Sequence, residues 1–516
     1  MTFDEQAAAM DRKSVAALLA SHQQLRGRVD ELTRQLEWFK RQLFGSKSER
    51  RWVDPEERQL SLGEWRSKDG EGKQLTMAEH LRRVRTSRDD TPEKDGLRFD
   101  ESVPVEEIRL PNPDTDAEHE LVSEKVTYRL AQRPASYVLL KYVRPVVKRK
   151  DDGRLSCPPA PASVLGKSMA DVSWLACMAI DKFVYHLPLY RQHQRIAAAG
   201  IRMARSTLTG LIHRSGDLLQ PIYEAQMYSV LTGRVVTMDE TPIKAGRKGR
   251  GKMKTGYYWP IYGDQDEVVF PFSGFRSGAA LREILDEYSG VLVSDGYGAY
   301  ERYAAQVNDV VHAQCWSHTR RQFVKSEDVE PELTDKALGY IRRLYEEEAR
   351  LKPRLLDDTK RLEQRARYCK PIVDEFFEWL KTVLEERTLL PRNPFTEAAD
   401  YALDREAALR VFLAYPDVPI DTNHLEREIR PIALGRKNWM FCWTEIGAQY
   451  VGIFQSLLAT CRLQGVDPYT YLVDVLQRVE THPASEVATL TPRLWKENFA
   501  ADPLRSAIDR VNNADS

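Results

Sequence analysis

The sequence predicts a multidomain α/β protein in which a central domain with a mixed β-sheet is preceded by one helical segment of the chain and interrupted by another. The chain has 516 residues, which is too long for one ordinary hydrophobic core, so about two to four modules are expected. Apolar runs of strand length are concentrated between residues 234 and 314. The segments 168–230 and 326–415 instead carry the three-to-four-residue apolar spacing of helices.

Residues 1–50 are predicted to form a coiled-coil oligomerisation helix. Apolar side chains recur there in steps of three and four, which places them on one seam of a helix. Val15 and Val29 at a positions with leucines at d positions favour a parallel dimer, and His22 at an a position sets the register at some cost in stability. An amphipathic helix packed on the protein's own core is the alternative. The seam consists of Val15, Leu18, His22, Leu25, Val29, Leu32, Leu36, Phe39 and Leu43.

A charged linker and a small β module are predicted next. Residues 51–125 are rich in charge and poor in aromatic residues, which is typical of a linker with partial helix. Residues 126–165 contain strand-like runs, notably 137–143, and a turn at Pro158-Pro159. We therefore predict a small β module over residues 126–165.

Residues 166–230 are predicted to be helical. One helix opens around Leu189 and ends at Gly200, and another begins at Arg205-Ser206. Two helices joined by a short glycine turn are compatible with a helix-turn-helix that reads DNA. They are equally compatible with a helical hairpin packed on the next domain, and the sequence leaves both interpretations open.

The central domain is predicted in two parts, residues 231–325 and 416–475. Three strands joined by hairpins come first and two helix-linked strands follow, which is the ribonuclease-H-like order of elements. Residues 326–415 are too long for a simple connection and are predicted to be a helical insertion. Residues 476–516 form the predicted C-terminal tail. The strand candidates are 234–238, 255–262, 267–273, 291–294 and 309–314.

Three acidic residues lie where metal-dependent phosphodiester chemistry needs them. Asp239 and Asp295 each follow an apolar run, so both are predicted at strand ends, and Glu426 lies in a polar segment with helical spacing. Carboxylates gathered from two strands and a helix form an oxygen-rich site that suits Mg²⁺ or Mn²⁺, with two ions serving an in-line displacement. Taken singly, each acid also has a structural explanation, because a strand-end aspartate often caps a helix or begins a turn.

Basic residues are clustered near these acids, although the whole chain has a net charge of −1. That balance argues against a uniformly basic protein, so DNA contacts must come from local basic surfaces. The cluster after Asp239 is interpreted as phosphate-binding, with a solvated hairpin loop as the alternative. Arg427 and Arg430 are further candidates, although Arg430 can instead pair with Glu426 one turn away. The predicted DNA-binding residues are Lys244, Arg247, Lys248, Arg250, Lys252, Lys254, Arg320, Arg321, Arg436 and Lys437.

The cysteines exclude two kinds of site. The six cysteines include no Cys-x-x-Cys pair, so neither a disulfide framework nor a ribbon-type zinc site is indicated, and a reducing cytoplasm fits. Cys315 and His318 have a Cys-x-x-His spacing, but two local ligands do not make a zinc site, and a structural role near the active site is favoured. No targeting segment or long apolar stretch is found, so a soluble cytoplasmic protein is expected.

Several segments resemble the large transposase of the insertion-sequence-sixty-six family of bacterial mobile elements. The matching segments are 238–242, 295–300, 315–323, 426–427 and 430–439, extended by 43–50 and 465–468. The resemblance covers nearly the whole chain and is weakest between residues 51 and 165. Carried over motif by motif, the family's acidic triad falls on Asp239, Asp295 and Glu426. The family usually has two asparagines before the third acid, whereas here Thr422 replaces the first and Asn423 remains.

The resemblance implies an acidic-triad (DDE) DNA transposase that cleaves at element ends and joins the 3′-hydroxyl to target DNA. It implies two Mg²⁺ or Mn²⁺ ions as cofactors, with Cys315, His318 and Asn423 as active-site support. The implied partners are DNA, further copies of the chain and small accessory proteins of the element. The family usually carries paired cysteines in the small β module, but only Cys157 remains, so a zinc-free remnant is predicted. A ribonuclease-H-like nuclease without joining activity and a catalytically silent DNA-binding scaffold remain alternatives.

Overall fold

The computed structural model describes residues 98–99, 103–113, 119–133, 136–249, 252–351, 357–386, 389, 392–439, 442 and 444–514, together with residues 21, 22 and 28. The predicted coiled coil of residues 1–50 and most of the predicted linker therefore lie outside the described residues. Among the helices that the structure describes, none is long and apolar enough to cross a membrane.

The first described domain contains a four-stranded sheet. Its strands and a short strand before them are β1 (Arg98–Phe99), β2 (Val105–Arg109), β3 (His119–Arg133), β4 (Ser136–Arg149) and β5 (Leu155–Ser156). The strands β3 and β4 form a long antiparallel hairpin, while β2 runs parallel to β4 and β5 antiparallel to it. Residues 105–109 and 119–125 thus lie in strands, although the sequence assigned them to the linker. One face of β2 is exposed, and a strand with an exposed face can be as charged as a linker.

Three helices follow this sheet, α1 (Val172–Phe183), α2 (Leu189–Ala198) and α3 (Arg205–Leu231). Their bounds agree with the predicted helix starts and with the predicted end near Gly200. The connection from α2 to α3 contains β6 (Ile201–Arg202), which pairs with β1, and it exceeds the about three-to-four-residue turn of a helix-turn-helix. One face of α3 packs in the core, where Leu208 and Leu219 are fully buried. That face fits the hairpin interpretation, while the opposite face carries exposed side chains from Arg205 to Tyr228.

The central domain contains two sheets. Its strands are β7 (Val235–Met238), β8 (Thr241–Gly249), β9 (Lys252–Tyr258), β10 (Ile261–Gly263), β11 (Val268–Val269), β12 (Phe272–Ser273), β13 (Gly290–Ser294) and β14 (Val310–Gln314). The larger sheet has the order β11-β10-β7-β13-β14. The strand β10 is antiparallel to β7 and β11, whereas β13 is parallel to β7 and β14. The helices α4 (Gly278–Leu285) and α5 (Gly298–Ala304) precede and follow β13.

The second sheet, ordered β12-β9-β8, differs from the sequence prediction. Residues 255–262 and 267–273 were each predicted as one strand, but each is divided between the two sheets. Pro260 and Pro271 lie at the divisions, and a proline lacks the N–H that a continuous ladder needs. Residues 241–249, part of the cluster predicted to bind phosphate, form β8, in which buried and exposed side chains largely alternate.

A group of helices follows β14 where the helical insertion is predicted. They are α6 (Trp316–Val324), α7 (Pro331–Leu351), α8 (Asp358–Gln364), α9 (Lys370–Glu386), α10 (Pro394–Leu403) and α11 (Glu406–Leu409), with a π-helical turn at Arg365–Cys369 and a 3₁₀ turn at Val411–Leu413. Trp316, Phe323, Phe376 and Phe395 are buried together in their core. The aromatic residues of these helices therefore stabilise the helices' own packing.

The C-terminal part consists of helices. They are α12 (Asn423–Trp439), α13 (Glu445–Leu463), α14 (Pro468–Arg478), α15 (Pro492–Asn498) and α16 (Ala507–Ala514), with a 3₁₀ turn at Ala484–Leu490. The helix α13 is buried along residues 451–461, and it packs against α3 and β11. The indole of Trp495 donates to the buried Asp474 carboxylate at 3.0 Å. The segment predicted as a tail thus contributes to the core.

Candidate active site

Asp239 and Asp295 follow two neighbouring parallel strands at the same edge of the larger sheet. The strands β7 and β13 are in register, with Thr237 opposite Val293, so each aspartate comes two residues after a paired position. The carboxylate of Asp239 accepts from the backbone N–H of Glu240 at 2.7 Å, and that of Asp295 accepts from Tyr297 N–H at 2.8 Å. Both aspartates are half-buried. The structure therefore brings the two predicted strand-end acids to one edge.

Glu426 lies in the first turn of α12. The carboxylate of Asp421 accepts from the backbone and the side-chain amide of Asn423 at 3.0 and 2.7 Å, which caps the helix start. The Oε1 atom of Glu426 lies 3.4 Å from an Arg321 nitrogen and 3.7 Å from Nε2 of His318. The helix continues through Pro431 to Trp439.

Three contacts fix α12 against the sheet. The Sγ atom of Cys315 accepts from the N–H and the hydroxyl of Thr422, immediately before the helix. His424 lies 3.1 Å from the Thr237 hydroxyl on β7, and Arg436 donates to the Pro242 carbonyl at 2.6 Å. Cys315 thus has the structural role that the sequence analysis favours.

A cleft of about 700 Å³ opens between these elements. Its lining residues are Asp239, His318, Arg321, Asn423, Glu426, Arg427, Ile429, Arg430 and Ala433. We refer to it as the acidic cleft, after Asp239 and Glu426. It combines carboxylates with three arginines, so it can attract both a cation and a polyanion.

Burial and neighbouring charges shift the pKa values of Asp239 and His318 in the acidic cleft. Burial is the main reason that the pKa of Asp239 is raised to about 7, with smaller contributions from the neighbouring carboxylates Asp295, Glu240 and Glu426, against the hydrogen bond from the Glu240 N–H. Burial and the Arg321 charge lower the pKa of His318, so its imidazole is neutral at neutral pH. A cation among the carboxylates would relieve the repulsion that raises the pKa of Asp239.

The donor set fits Mg²⁺ or Mn²⁺ by its chemistry. All three acids supply hard oxygen ligands, and a bound cation would lower the raised pKa of the half-buried Asp239. In the described part of the chain, no three His, Cys, Asp or Glu side chains stand close enough to ligate one ion as positioned. Burial raises the pKa of the Cys315 thiol, which disfavours the thiolate that zinc requires.

The predicted DNA-binding residues fall into two groups. Arg321 lines the acidic cleft, and Arg320 is exposed on the same helix. Lys244, Arg247, Lys248, Lys252 and Lys254 lie on the β8–β9 hairpin, which extends up to roughly 30 Å from Asp239 at about 3.3 Å per residue. Arg250 lies outside the described residues.

Some of these basic side chains have partners within the protein. Lys244 donates to Thr255 at 2.6 Å, and Lys254 pairs with Glu445 at 2.8 Å. Arg436 is bound to the start of β8, whereas Lys437 is exposed. The hairpin positions most available to DNA are therefore Lys248 and Lys252, which are exposed.

Glu240 is a site residue that the sequence analysis missed. Its side chain is only 4% exposed, and it accepts from Arg276 at 2.7 Å and from the Tyr300 hydroxyl at 2.8 Å. Burial raises its pKa. Its position directly after Asp239 was a signal that could have identified it. Its partners Arg276 and Tyr300 lie far along the chain, and local sequence does not predict contacts over such separations.

Comparisons with known proteins identify the class to which this site belongs. Residues 167–450 match the profile described as "Transposase IS66 family", and residues 456–493 match the "IS66 C-terminal element". Residues 31–108 match the profile described as "Transposase C of IS166 homeodomain". A transposase is a DNA-processing protein, and the acidic cleft with its arginines lies within the first of these matches. More narrowly, the chain belongs to the IS66 family of transposases, as the resemblance of its motifs predicts.

Relatives in Sinorhizobium fredii (strain NBRC 101917 / NGR234) are similar over most of the chain. The uncharacterized protein y4hP is 30% identical over 411 residues, which are 75% of this chain and 73% of that protein. The uncharacterized protein y4qI is 29% identical over 513 residues, covering 95% of this chain and 93% of its own length. The uncharacterized protein y4jD is 29% identical over 357 residues, 66% of this chain and 68% of that protein.

Proposed function

We propose that this transposase cleaves DNA at the ends of its mobile element and joins the freed 3′ end to target DNA, with Asp239, Asp295 and Glu426 as its catalytic residues. The observation that carries the proposal is the register of β7 and β13, which puts two aspartates at one sheet edge. Glu426 enters the same cleft as Asp239 from the first turn of α12.

The strand order supports a ribonuclease-H-like core. Three antiparallel strands followed by two parallel strands, in the spatial order β11-β10-β7-β13-β14, correspond to the ribonuclease-H-like order predicted from the sequence. The first acid follows the first strand of this sheet, the second follows the fourth, and the third comes from a helix after the insertion. Phosphodiester cleavage by an acidic triad requires such a convergence of distant segments.

Asp239, Asp295 and Glu426 would hold Mg²⁺ or Mn²⁺. When bound, such ions supply the charge neutralisation and nucleophile activation that an in-line phosphodiester displacement needs. Arg321, beside Glu426, would bind a phosphate oxygen of the strand that enters the cleft. The basic β8–β9 hairpin would hold the duplex further away, because its exposed lysines offer contacts to the phosphate backbone.

The assembly is proposed to be oligomeric. The seam in residues 10–45 favours pairing of two chains through a parallel coil, and accessory proteins of the element remain expected partners. Bringing two element ends together requires at least two DNA-binding surfaces, which a dimer supplies.

The test changes each acid singly to its amide, as Asp239→Asn, Asp295→Asn and Glu426→Gln. DNA carrying the element ends is incubated with Mg²⁺ or Mn²⁺, and cleaved and joined strands are resolved on denaturing gels. We expect each variant to lose cleavage and joining by at least about a hundredfold while remaining folded and retaining DNA. Glu301→Gln, an exposed carboxylate on α5, serves as the matched control.

The outcomes separate the alternatives. Cleavage without joined products would favour a ribonuclease-H-like nuclease. Binding without cleavage in the native protein would favour a silent scaffold. If Glu426→Gln kept near-native joining, the third acid would be wrong; of its neighbours, Glu428 already pairs with Arg462 and Asp421 caps Asn423.

A further inference from the structure

A second cleft of about 930 Å³ lies directly beside the acidic cleft. Its walls come from the turn after α1, from α12, from the end of α13 and from the loop before α14. Arg427 and Arg430 line both clefts, so the two adjoin along this part of α12. A DNA strand whose scissile phosphate lies in the acidic cleft can therefore extend into the second cleft. We call it the Tyr185 cleft.

Tyr185 is the most exposed of the large hydrophobic side chains that line this cleft. It is 71% exposed, and its neighbour Val184 is 37% exposed. The turn that carries it is fixed by the end of α1, because the Tyr185 N–H donates to the Ile180 carbonyl at 3.1 Å and the Leu187 N–H to the Asp181 carbonyl at 2.7 Å. A rigid turn that presents an aromatic ring to solvent provides a preformed stacking surface.

The same turn contains an unusual backbone conformation and an unpartnered polar atom. His186 has a φ of 57°, in the left-handed region that non-glycine residues rarely adopt. Its Nδ1 atom is buried and has no hydrogen-bond partner within the described part of the chain. His186 itself lines the Tyr185 cleft.

The charges of the cleft select for a nucleic acid. Within the described residues, neither Arg427 nor Arg430 forms an ion pair with a carboxylate, while Arg462 on the opposite wall pairs with Glu428. Exposed arginines beside an exposed tyrosine form the combination by which proteins bind unpaired nucleotides, with phosphates on the cations and bases on the ring. An apolar protein segment would leave these arginines without counter-charges.

We propose that the Tyr185 cleft holds an unpaired nucleotide of the DNA strand next to the cleavage position, with its base stacked on Tyr185 and its phosphate on Arg427 and Arg430. This inference rests on the proposed function, because that function brings a strand into the acidic cleft. The nucleotide must be unpaired, since a base inside the duplex presents no free face to an aromatic ring.

The test compares two fluorescein-labelled DNA probes bound to the full chain in EDTA, so that cleavage is not the readout. One probe is a blunt duplex, and the other is the same duplex with a four-nucleotide unpaired flank that contains 2-aminopurine. We expect Tyr185→Ala to weaken binding of the flanked probe by about five- to a hundredfold, as one stacked base contributes about 1–3 kcal/mol. Binding of the blunt duplex should change by less than about twofold.

Two further variants make the result specific. Tyr185→Phe keeps the ring and should bind both probes as the native chain does, with the same quenching of 2-aminopurine. Tyr228→Ala removes an equally exposed ring, 72% exposed, on α3, and should change neither probe. Melting temperatures of all variants verify that each is folded.

Each outcome decides between the two proposals. Equal binding of the flanked probe by native and Tyr185→Ala protein, or an equal loss on both probes by a folded Tyr185→Ala variant, overturns the role of the cleft. Cleavage by the native protein together with no dependence on Tyr185 overturns only this inference. Tyr185-dependent binding of the flank without any cleavage in Mg²⁺ supports the cleft and overturns the catalytic function, and failure to bind either probe overturns both.

Discussion

The Sγ atom of Cys315 accepts two hydrogen bonds from Thr422, one from the backbone N–H at 3.3 Å and one from the hydroxyl at 3.4 Å. Both residues are buried. Cys315 directly follows β14 and Thr422 directly precedes α12, so this contact joins the sheet to the helix that carries Glu426. The buried thiol thus helps to fix the start of the helix that carries Glu426, the third acid of the proposed triad.

Thr422→Val is expected to lower both stability and activity. The substitution keeps the shape of the side chain but removes the hydroxyl donor, which should lower the free energy of unfolding by about 1 kcal/mol. Cleavage should fall further than this loss explains, by about tenfold, because the start of α12 is less well fixed. Chemical denaturation and a cleavage assay measure the two effects. Thr382→Val removes an exposed hydroxyl bond to Glu378 in α9 and should leave both values nearly unchanged. Native activity in Thr422→Val would argue against this positioning role.

The stability of the metal-free protein should fall as pH rises between the pKa of Asp239 in the unfolded chain and its pKa in the folded protein. Burial raises the pKa of Asp239 to about 7 in the folded protein, against about 3.9 in an unfolded chain. Between these values the folded state holds a proton that the unfolded state has released, so stability decreases with rising pH and levels off above about 7.

Asp239→Asn should remove this part of the pH dependence. In EDTA at pH 8, the variant is expected to exceed the native protein in free energy of unfolding by on the order of 2 kcal/mol, and the difference should be smaller at pH 5. Mg²⁺ should stabilise the native protein at pH 8, and it should stabilise the Asp239→Asn variant less. Denaturation at both pH values, with and without Mg²⁺, tests this. Parallel pH profiles for the two proteins in EDTA would contradict it, and Glu301→Gln should follow the native profile.

Gly296→Ala is expected to reduce cleavage because the added methyl group would collide with Tyr401 of the helical insertion. Gly296 follows Asp295, and a Cβ at this position would overlap the hydroxyl end of Tyr401 on α10. The loop would have to shift, which should lower activity by about 10- to 100-fold. The double variant Gly296→Ala/Tyr401→Ala should regain the activity of Tyr401→Ala alone.

Gly339→Ala is the matched control for this prediction. No atom lies within 4 Å of a Cβ built at Gly339, and it is inside α7, so alanine should stabilise the helix by about 0.5–1 kcal/mol without affecting cleavage. If the double variant remained as inactive as Gly296→Ala, the contact with Tyr401 would not be the cause.

The β8–β9 hairpin should contribute a measurable share of the salt dependence of DNA binding. Removing two phosphate contacts with Lys248→Ala/Lys252→Ala should weaken binding of any duplex and reduce the slope of log K against log salt by about 2. Fluorescence anisotropy at salt concentrations from about 50 to about 200 mM measures the slope. Lys360→Ala/Lys370→Ala is the control, because both lysines pair with nearby aspartates. An unchanged slope in the hairpin variant would remove it from the DNA-binding surface.

The sequence by itself determined where Asp239 and Asp295 lie and which family the chain belongs to. Short apolar runs specify buried strands locally, so residues that follow such runs are predictably strand-end residues, as the structure confirms for β7 and β13. The helix bounds around Gly200 and Arg205 were readable for the same reason, because capping and turn residues act within a few positions.

Only the tertiary structure decided which of these residues meet. Contacts between distant segments divide two predicted strands between two sheets and bury Glu240 against Arg276 and Tyr300. Such contacts also fix α12 through Cys315 and place the Tyr185 cleft beside the acidic cleft. Local sequence records the propensity of each segment, whereas such contacts depend on how whole elements pack. Local sequence predicts the strand that Asp239 follows. Only the packing of the elements between Asp239 and Glu426 brings the two residues into one cleft.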